Sequence, residues 1–393
     1  MHDSSSSAVS LRVLHVSEVS IGGVSTLLRA FVTEQVRRGD DPHLLAPTTH
    51  GLVVGEYHRW DVHRKNPAQF LTAMAQLNAT CAQVRPDVVH LHSFFAGLFG
   101  RVPLARLRER AAIVYQPHAW NFDAARRRPS QEMLAHWERF AGRRTDLVVS
   151  NCYDEMLEGQ RYGVDAAAAI VGVPICTETF SPVTAGQRAA NRRTLGLDER
   201  RVVLCLASLC WQKGQDRLLA AWEQAPLDNA VLVLVGGAEG PYLRRQGVEY
   251  LRKIAPRQWG STIKAVGHQA DAKPWLWSAD VLIQPSRYEA LGVAAAESLA
   301  CGVPVVSCTV NGAREVIVDG PEHPAGAVVP QGDMDALLAA CRQRLDSPGL
   351  LERESVAARQ RALRLFAIKD VADRLERAYL RAGALAAQRH RLA

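Results

Sequence analysis

Residues 285–307 read PSRYEALGVAAAESLACGVPVVS, and this stretch decides the fold. The apolar run DVLIQPS (280–286) is a strand that stops at Pro285, because proline has no N–H to give to a central ladder. A short loop follows, carrying Glu289 and the small turn Ala290-Leu291-Gly292. The Ala-rich segment VAAAESLA predicts a helix beginning near Val293, which Gly302 and Pro304 end before the next apolar strand, VPVVSCT (303–309). Strand, loop, helix and strand in that order make one winding of a parallel α/β fold.

Such a junction also implies chemistry. A helix start presents free backbone N–H groups and the positive end of the helix dipole, which suits a pyrophosphate. Gly292 lets a phosphate come close to the backbone. Glu289 precedes the helix, where a carboxylate accepts hydrogen bonds from sugar hydroxyls; Glu297 lies about one turn inside, where it can accept from ribose hydroxyls. A capping role for Glu289 and a solvated position for Glu297 explain either residue singly, but explain the whole string poorly.

Working outward, the same alternation fills the chain. LRVLHVS (11–17), HLLAP (43–47), DVVHLHS (87–93), AIVYQPH (112–118), DLVVSN (146–151) and AAIVGVP (168–174) read as strands, with an amphipathic helix over 22–40 ending near Gly39. ICTETFSPVTAGQ (175–187) reads as a linker. The pattern restarts with RVVLCLAS (201–208), AVLVLVGG (230–237), IKAVGH (263–268), the two strands around Glu289, VIVDG (316–320) and GAVVP (326–330). Helical patterns over 333–345 and 350–388 close it. The expectation is two Rossmann-like, doubly wound α/β domains, 1–178 and 179–369, facing a central cleft. A C-terminal helix of about 370–393 is expected to pack back on the first domain. In open α/β sheets ligands bind beyond the carboxyl ends of the strands, so the strand–helix junctions are where chemistry is sought.

Composition sets bounds. The 393 residues are 48% hydrophobic and fit a globular protein with sizeable cores. No apolar run approaches the roughly 18–20 residues of a membrane span, and the Ser-rich start MHDSSSSAVS lacks the pattern of a secretory signal, so cytoplasmic is the default location. The eight cysteines are scattered without a CxxC pair and read as reduced, mostly buried thiols. The net charge of +7 concentrates in residues 351–393, which hold 10 Lys/Arg against 5 Asp/Glu. Interleaved acids mark that tail as a solvated helix face rather than a nucleic-acid site. The basic stretches RVPLARLRER (101–110) and AARRRPSQ (124–131) allow peripheral contact with an anionic membrane, with solvated helix faces the preferred reading. No P-loop, nucleophile elbow or HExxH is present. The triplet Asp333-Met334-Asp335 opens a helix and reads as an N-cap rather than a metal site, so neither a metal nor a cofactor is expected.

Three further junctions carry candidates. LASLCWQKGQDRLLAAW (206–222) puts Lys213-Gly214 between a strand and a helix, where a lysine can meet a phosphate as a point charge; taken singly it is an ordinary exposed lysine. Gly22-Gly23 follows the first strand and permits a tight turn, with Glu18 and Ser20 in the same loop as weak acceptor-binding candidates. QPHAWNF (116–122) places His118 at a strand end, with His90 and His92 of HLHSFF as alternatives.

The string with Glu289 and Glu297, PS before them, ACGVPVVS after and then NGAREVIVDG (311–320), resembles the E-x7-E signature of glycosyltransferase family 4, retaining enzymes of the GT-B fold. The resemblance covers nearly the whole chain. It implies that Glu289 contacts the donor sugar and Glu297 the nucleotide ribose, that Lys213 binds the donor diphosphate, that Gly22 and Gly23 face the phosphate and acceptor, and that His118 lies beside the donor sugar. Ala290, Leu291, Gly292 and Val293 would then line the donor site, with His118, Glu289 and Lys213 as the catalytic set. Many members carry an arginine where this chain has Ser208, so half of the usual basic clamp is missing, and Arg287 is a candidate substitute. The implied activity is metal-independent transfer from a UDP- or GDP-sugar to a hydroxyl acceptor with retention, in bacterial cell-surface polysaccharide, glycolipid or antibiotic glycosylation. A sugar-nucleotide epimerase and a non-catalytic partner subunit of the same fold are the alternatives, the latter motivated by Ser208.

Overall fold

A computed structural model describes residues 10–19, 22–49, 51–62, 70–124, 128–197, 199–237 and 248–392. The chain forms two compact units. The first takes in the described residues up to Ser150, Met156–Pro174 and the chain from Lys369 onward; the second is Asn151–Glu155 and Ile175–Ile368.

Among the described residues the first unit holds one parallel sheet of seven strands: β1 (Arg12–Ser17), β2 (Asp41–Ala46), β3 (Glu56–Arg59), β4 (Val88–His92), β5 (Ala112–Gln116), β6 (Leu147–Ser150) and β7 (Ala168–Ile170). Their order is β3-β2-β1-β4-β5-β6-β7. Central strands of a parallel sheet are covered on both faces and so need continuous burial, and every residue of β4 and β5 is buried. The polar edge strand β3, EYHR, is mostly exposed and shields the sheet rim, a strand that its composition concealed. Trp60, Tyr115, Trp120 and Phe122 anchor the core beneath.

Among the described residues the second unit holds six parallel strands: β8 (Arg201–Leu206), β9 (Ala230–Val235), β10 (Ile263–Gly267), β11 (Val281–Gln284), β12 (Val305–Cys308) and β13 (Gly326–Val329), in the order β10-β9-β8-β11-β12-β13. Leu218, Leu219 and Trp222 pack its core. Each sheet reverses its winding once, between β1 and β4 in the first and between β8 and β11 in the second. Those are topological switch points, where the carboxyl ends of neighbouring strands open a crevice.

Four sequence expectations are corrected. VIVDG is no strand: Ala313–Ile317 is a short helix with Val316 and Ile317 buried, since an apolar run this short fits a buried helix turn as well as a strand. The 350–388 pattern is two helices, Pro348–Phe366 and Ile368–Leu392, parted where Ile175 exchanges backbone hydrogen bonds with Phe366 and Ile368. The tail arginines are a solvated face only in part: Arg353, Arg364, Arg377, Arg381 and Arg391 are exposed, but others turn inward. Arg361 is buried on the carbonyls of Val318 and Asp319, and Arg359 reaches those of Thr177, Phe180 and Ala300. Nor is 101–110 a basic helix face: it makes two short 3-10 turns, and Arg101 is fully buried 2.9 Å from the Glu138 carboxylate and 3.5 Å over the Tyr115 ring. Residues 125–127 of the second basic stretch lie outside the described residues.

The helix Ile368–Leu392 lies on the first unit. Arg38 pairs with Asp373 at 2.5 Å, Arg374 donates to the Val171 carbonyl, and the Tyr379 hydroxyl meets His90 Nδ1 at 2.8 Å. Asp333 caps the helix Met334–Asp346 by accepting from the Ala336 amide. No disulfide joins any of the eight cysteines, all of which lie among the described residues. Among the described residues no helix is long and apolar enough to cross a membrane.

Candidate active site

In the second unit the loops after β8 and β11 meet because those strands are neighbours. After β8 comes a 3-10 turn, Trp211–Lys213, then Gly214 in the left-handed region at φ 72°. A Cβ on Gly214 would stand 2.1 Å from the Pro285 carbonyl oxygen, so only glycine allows the two loops to touch there. Hydrogen bonds staple the loops: the Arg287 amide donates to the Gln212 carbonyl, Gln212 Nε2 to the Tyr288 carbonyl and Arg217 to the Pro285 carbonyl.

This brings Lys213 and Glu289 together. Lys213 Nζ lies 2.6 and 2.8 Å from the two oxygens of the buried Glu289 carboxylate, and the buried Ser286 hydroxyl donates to one of them at 2.7 Å. Ser286 was not singled out from sequence, although it stands three residues before Glu289 in the same loop. Ala290 and Leu291 follow, and Gly292 at φ 90° starts the helix Val293–Ala300. Among the described residues no side chain caps that helix, so its first amides, Val293 and Ala294, lack intrahelical acceptors. Glu297 is buried in the same helix. The arrangement is a lysine and a carboxylate beside an uncapped helix N-terminus at a switch point, suited to an anionic ligand that also bears hydroxyls.

Arg287, the candidate replacement for the arginine missing at Ser208, is engaged elsewhere. Its guanidinium grips Asp216 through two hydrogen bonds of 2.8 and 2.7 Å and lies 4.7 Å over the Trp211 ring. Burial alone would raise the Asp216 carboxyl, but Arg287 holds it below its ordinary value. At Ser208 the backbone carbonyl accepts from Gln215 Nε2 at 3.0 Å.

In the first unit the predicted residues sit at the other switch point. Gly22, at φ 87°, caps the helix Gly23–Arg38 after β1. Glu18 accepts from the Phe95 and Ala96 amides at 3.4 and 3.0 Å, at the start of the helix Ser93–Arg101. Ser20 lies outside the described residues. His118, just past β5, has φ 54°, and Ala119 has φ 83°. Positive φ in consecutive non-glycine residues marks a backbone held in place by its surroundings. His118 does not stand alone: its Nε2 is 3.0 Å from His92 Nδ1, and His92 Nε2 is 3.0 Å from His15 Nδ1. Desolvation lowers His15 to about 4, His118 to about 3 and His90 well below the ordinary histidine value. His15 escaped sequence reading because only the register, with His15 opposite His90 and Ser17 opposite His92, gathers these rings on one face.

The chain matches two family models, "Glycosyltransferase Family 4" over residues 21–174 and "Glycosyl transferases group 1" over residues 200–347. Among curated proteins it is 29% identical over 364 residues to the GDP-mannose-dependent alpha-(1-6)-phosphatidylinositol monomannoside mannosyltransferase of Mycolicibacterium smegmatis, covering 87% of this chain and 90% of that one. It is 31% identical over 341 residues to the D-inositol 3-phosphate glycosyltransferase of Geodermatophilus obscurus, covering 80% and 71%. Of solved structures, sucrose-phosphate synthase from Thermosynechococcus elongatus superposes with a TM-score of 0.79 at 21% identity, over 95% of this chain and 99% of that one. Anabaena HepE in complex with UDP and glucose also gives 0.79, at 18% identity over 93% and 98%.

Proposed function

The chain belongs to glycosyltransferase family 4 and has the GT-B fold, and from this premise we propose that it is a retaining, metal-independent enzyme moving a sugar from a UDP- or GDP-sugar to a hydroxyl acceptor of a bacterial cell-surface glycan or glycolipid. The observation that carries this reading is the Lys213–Glu289 pair beside the uncapped start of the helix Val293–Ala300.

When the glycosidic bond to the donor phosphate breaks, negative charge grows on the departing nucleoside diphosphate. Lys213 and the amides of Val293 and Ala294 neutralise that charge without a metal. Glu289 holds the donor sugar through its hydroxyls, Ser286 fixing the carboxylate, while Glu297 accepts from the ribose. The anomeric carbon becomes oxocarbenium-like, the acceptor attacks from the face the phosphate leaves, and a phosphate oxygen takes the acceptor proton. His118 stands beside the sugar. With Ser208 in place of an arginine and Arg287 tied to Asp216, Lys213 and the helix amides carry diphosphate recognition. The mannosyltransferase and inositol-phosphate relatives support a polyol or lipid-linked acceptor, and GDP-mannose as the donor of the one relative, with UDP bound in HepE, supports either nucleotide.

The test is nucleoside diphosphate release with and without a pool of acceptors, in EDTA, followed by NMR of the product's anomeric proton. Acceptor-dependent release, unchanged by EDTA, with retained configuration is expected. Inversion, or loss of activity on chelation, overturns the mechanistic part. A donor epimerised without release of nucleoside diphosphate overturns the transfer reading. A thermal-shift screen of UDP, GDP and dTDP identifies the nucleotide, since a ligand of the native state raises its stability.

A further inference from the structure

We propose that Gln35, His15 and His92 are positioning residues that hold His118 in the Nε2–H tautomer, so that its Nδ1 meets a sugar hydroxyl as a hydrogen-bond acceptor. The proposal rests on the reading that His118 lies beside the donor sugar.

Four side chains, from the helix Gly23–Arg38, β1, β4 and the loop after β5, are joined in a file. Gln35 Oε1 is 2.8 Å from His15 Nε2, His15 Nδ1 is 3.0 Å from His92 Nε2, and His92 Nδ1 is 3.0 Å from His118 Nε2. The rings are near parallel, with His15 and His92 inclined by 26° and His92 and His118 by 15°. Gln35, His15 and His92 are buried.

A neutral imidazole has one N–H and one lone pair, so a file of such rings runs in a single direction, and one end sets the direction for all. Here the end is an amide oxygen, which can only accept. His15 must therefore donate from Nε2 and accept at Nδ1. His92 must donate from Nε2 to His15 and accept at Nδ1. His118 is left to donate from Nε2, which leaves Nδ1 with the lone pair. The amide oxygen of Gln35 being taken, its NH2 group faces the Tyr379 hydroxyl, which then donates to His90 Nδ1. One glutamine thus orients both the file and its neighbour.

The positions serve no better purpose as packing. Burying three imidazoles in a sheet face is costly unless each polar atom is paired. Apolar residues would fill the space at less cost, and the positive φ of His118 adds strain at the end of the file. A ring with its tautomer fixed by outer partners is a recurring way to present one nitrogen reliably. His15, His90 and His92 also bring ring nitrogens within 4.8 Å of one another, as a metal site would. The 3.0 Å contact between His15 Nδ1 and His92 Nε2 is hydrogen-bond geometry and needs a proton between the two rings, which favours the file.

The experiment is two-bond 15N–1H correlation NMR on the full-length protein labelled at histidine nitrogen, with His118 assigned by loss of its signals in His118→Asn. His15, His92 and His118 are expected in the Nε2–H form. In His92→Phe and in Gln35→Met, which changes the far end of the file without touching His118, the His118 signals should shift toward a tautomer mixture. Turnover should fall roughly 10- to 100-fold, the range for removing a partner that orients a histidine, with KM for the nucleotide sugar within about twofold. An Nδ1–H signal for His118 in the wild type overturns the proposal, as does an unchanged His118 pattern in either folded variant. Stoichiometric bound zinc or nickel in the purified protein overturns it too. Unchanged turnover in His118→Asn, with the tautomers as expected, overturns instead the placement of His118 beside the sugar.

Discussion

The amino group of Lys213 bridges both carboxylate oxygens of Glu289, at 2.6 and 2.8 Å, although the two residues stand 76 positions apart. In the proposed site one of them answers to phosphate and the other to sugar. Their contact therefore ties recognition of the leaving group to recognition of the group being transferred. Glu289→Ala should abolish transfer, by at least about 100-fold in kcat as for loss of a donor or acceptor aimed at the transition state. Circular dichroism should be unchanged. Wild-type turnover in this variant would remove Glu289 from the site.

Lys213→Ala separates the two roles. It should weaken nucleoside diphosphate binding by roughly 10-fold or more, the scale of one charge-assisted contact worth about 1.5–3 kcal/mol. Calorimetric titration reads this directly, and unchanged affinity would place the diphosphate elsewhere.

Gly214→Ala tests the loop contact beneath the pair. An added Cβ would meet the Pro285 carbonyl oxygen at 2.1 Å and force alanine to φ 72°. The left-handed region alone costs roughly 1–2 kcal/mol, so the melting temperature should drop by several degrees. Nucleotide affinity should fall with it, because Lys213 shares that turn. A stable Gly214→Ala protein with full affinity would show that the loops move independently.

Acid should loosen the first unit before its carboxylates titrate. His15 is buried and neutral, with its value lowered by desolvation from 6.5 to about 4. The unfolded chain then binds the extra proton first, so stability is full above pH 6.5 and declines as pH falls from 6.5 toward 4. For this one group the loss is on the order of 3 kcal/mol, at about 1.4 kcal/mol per pH unit. His118, lowered to about 3, extends the decline further. Calorimetric scans at a series of pH values should show the drop in the wild type and a shallower one in His15→Phe; parallel curves would contradict it.

Arg101→Leu leaves Glu138 buried without its cation. Both side chains are inaccessible to solvent, and desolvation already raises the Glu138 carboxyl against the pull of Arg101. The single variant should lose about 3–5 kcal/mol. The double variant Arg101→Leu/Glu138→Leu should recover much of that in chemical denaturation. Equal losses in both would mean that packing, not charge, holds the site.

The strand–loop–helix around Glu289 was legible because its signals are local: Pro285 ends a strand, Gly292 opens a helix, and Gly302 and Pro304 close it. The second unit's other strands were legible for the same reason, as continuous β-branched runs. VIVDG misled because Val316 and Ile317 are buried whether the backbone coils or extends. No glycine or proline marks the break at Ala367, which is made by pairing with Ile175. Arg101 and Arg361 looked like solvent-facing charge, since their partners, Glu138 and the carbonyls near Val318, are 37 and 43 positions away. The histidine file depends on β1, β4 and β5 lying side by side in register, which no short window of sequence contains.

The last helix, Ile368–Leu392, completes the first unit, with Tyr379 on His90 and Arg38 on Asp373. A ribosome adding about 5–20 residues per second needs roughly 10–40 s to make the intervening 175–368 segment. Throughout that interval the nascent first unit has every strand of its sheet but not the helix that lies over β4. The second unit, which needs nothing later than Ile368, can fold first. Synthesis order is thus reversed in assembly order, and a chain cut short before Lys369 would leave its older half unfinished.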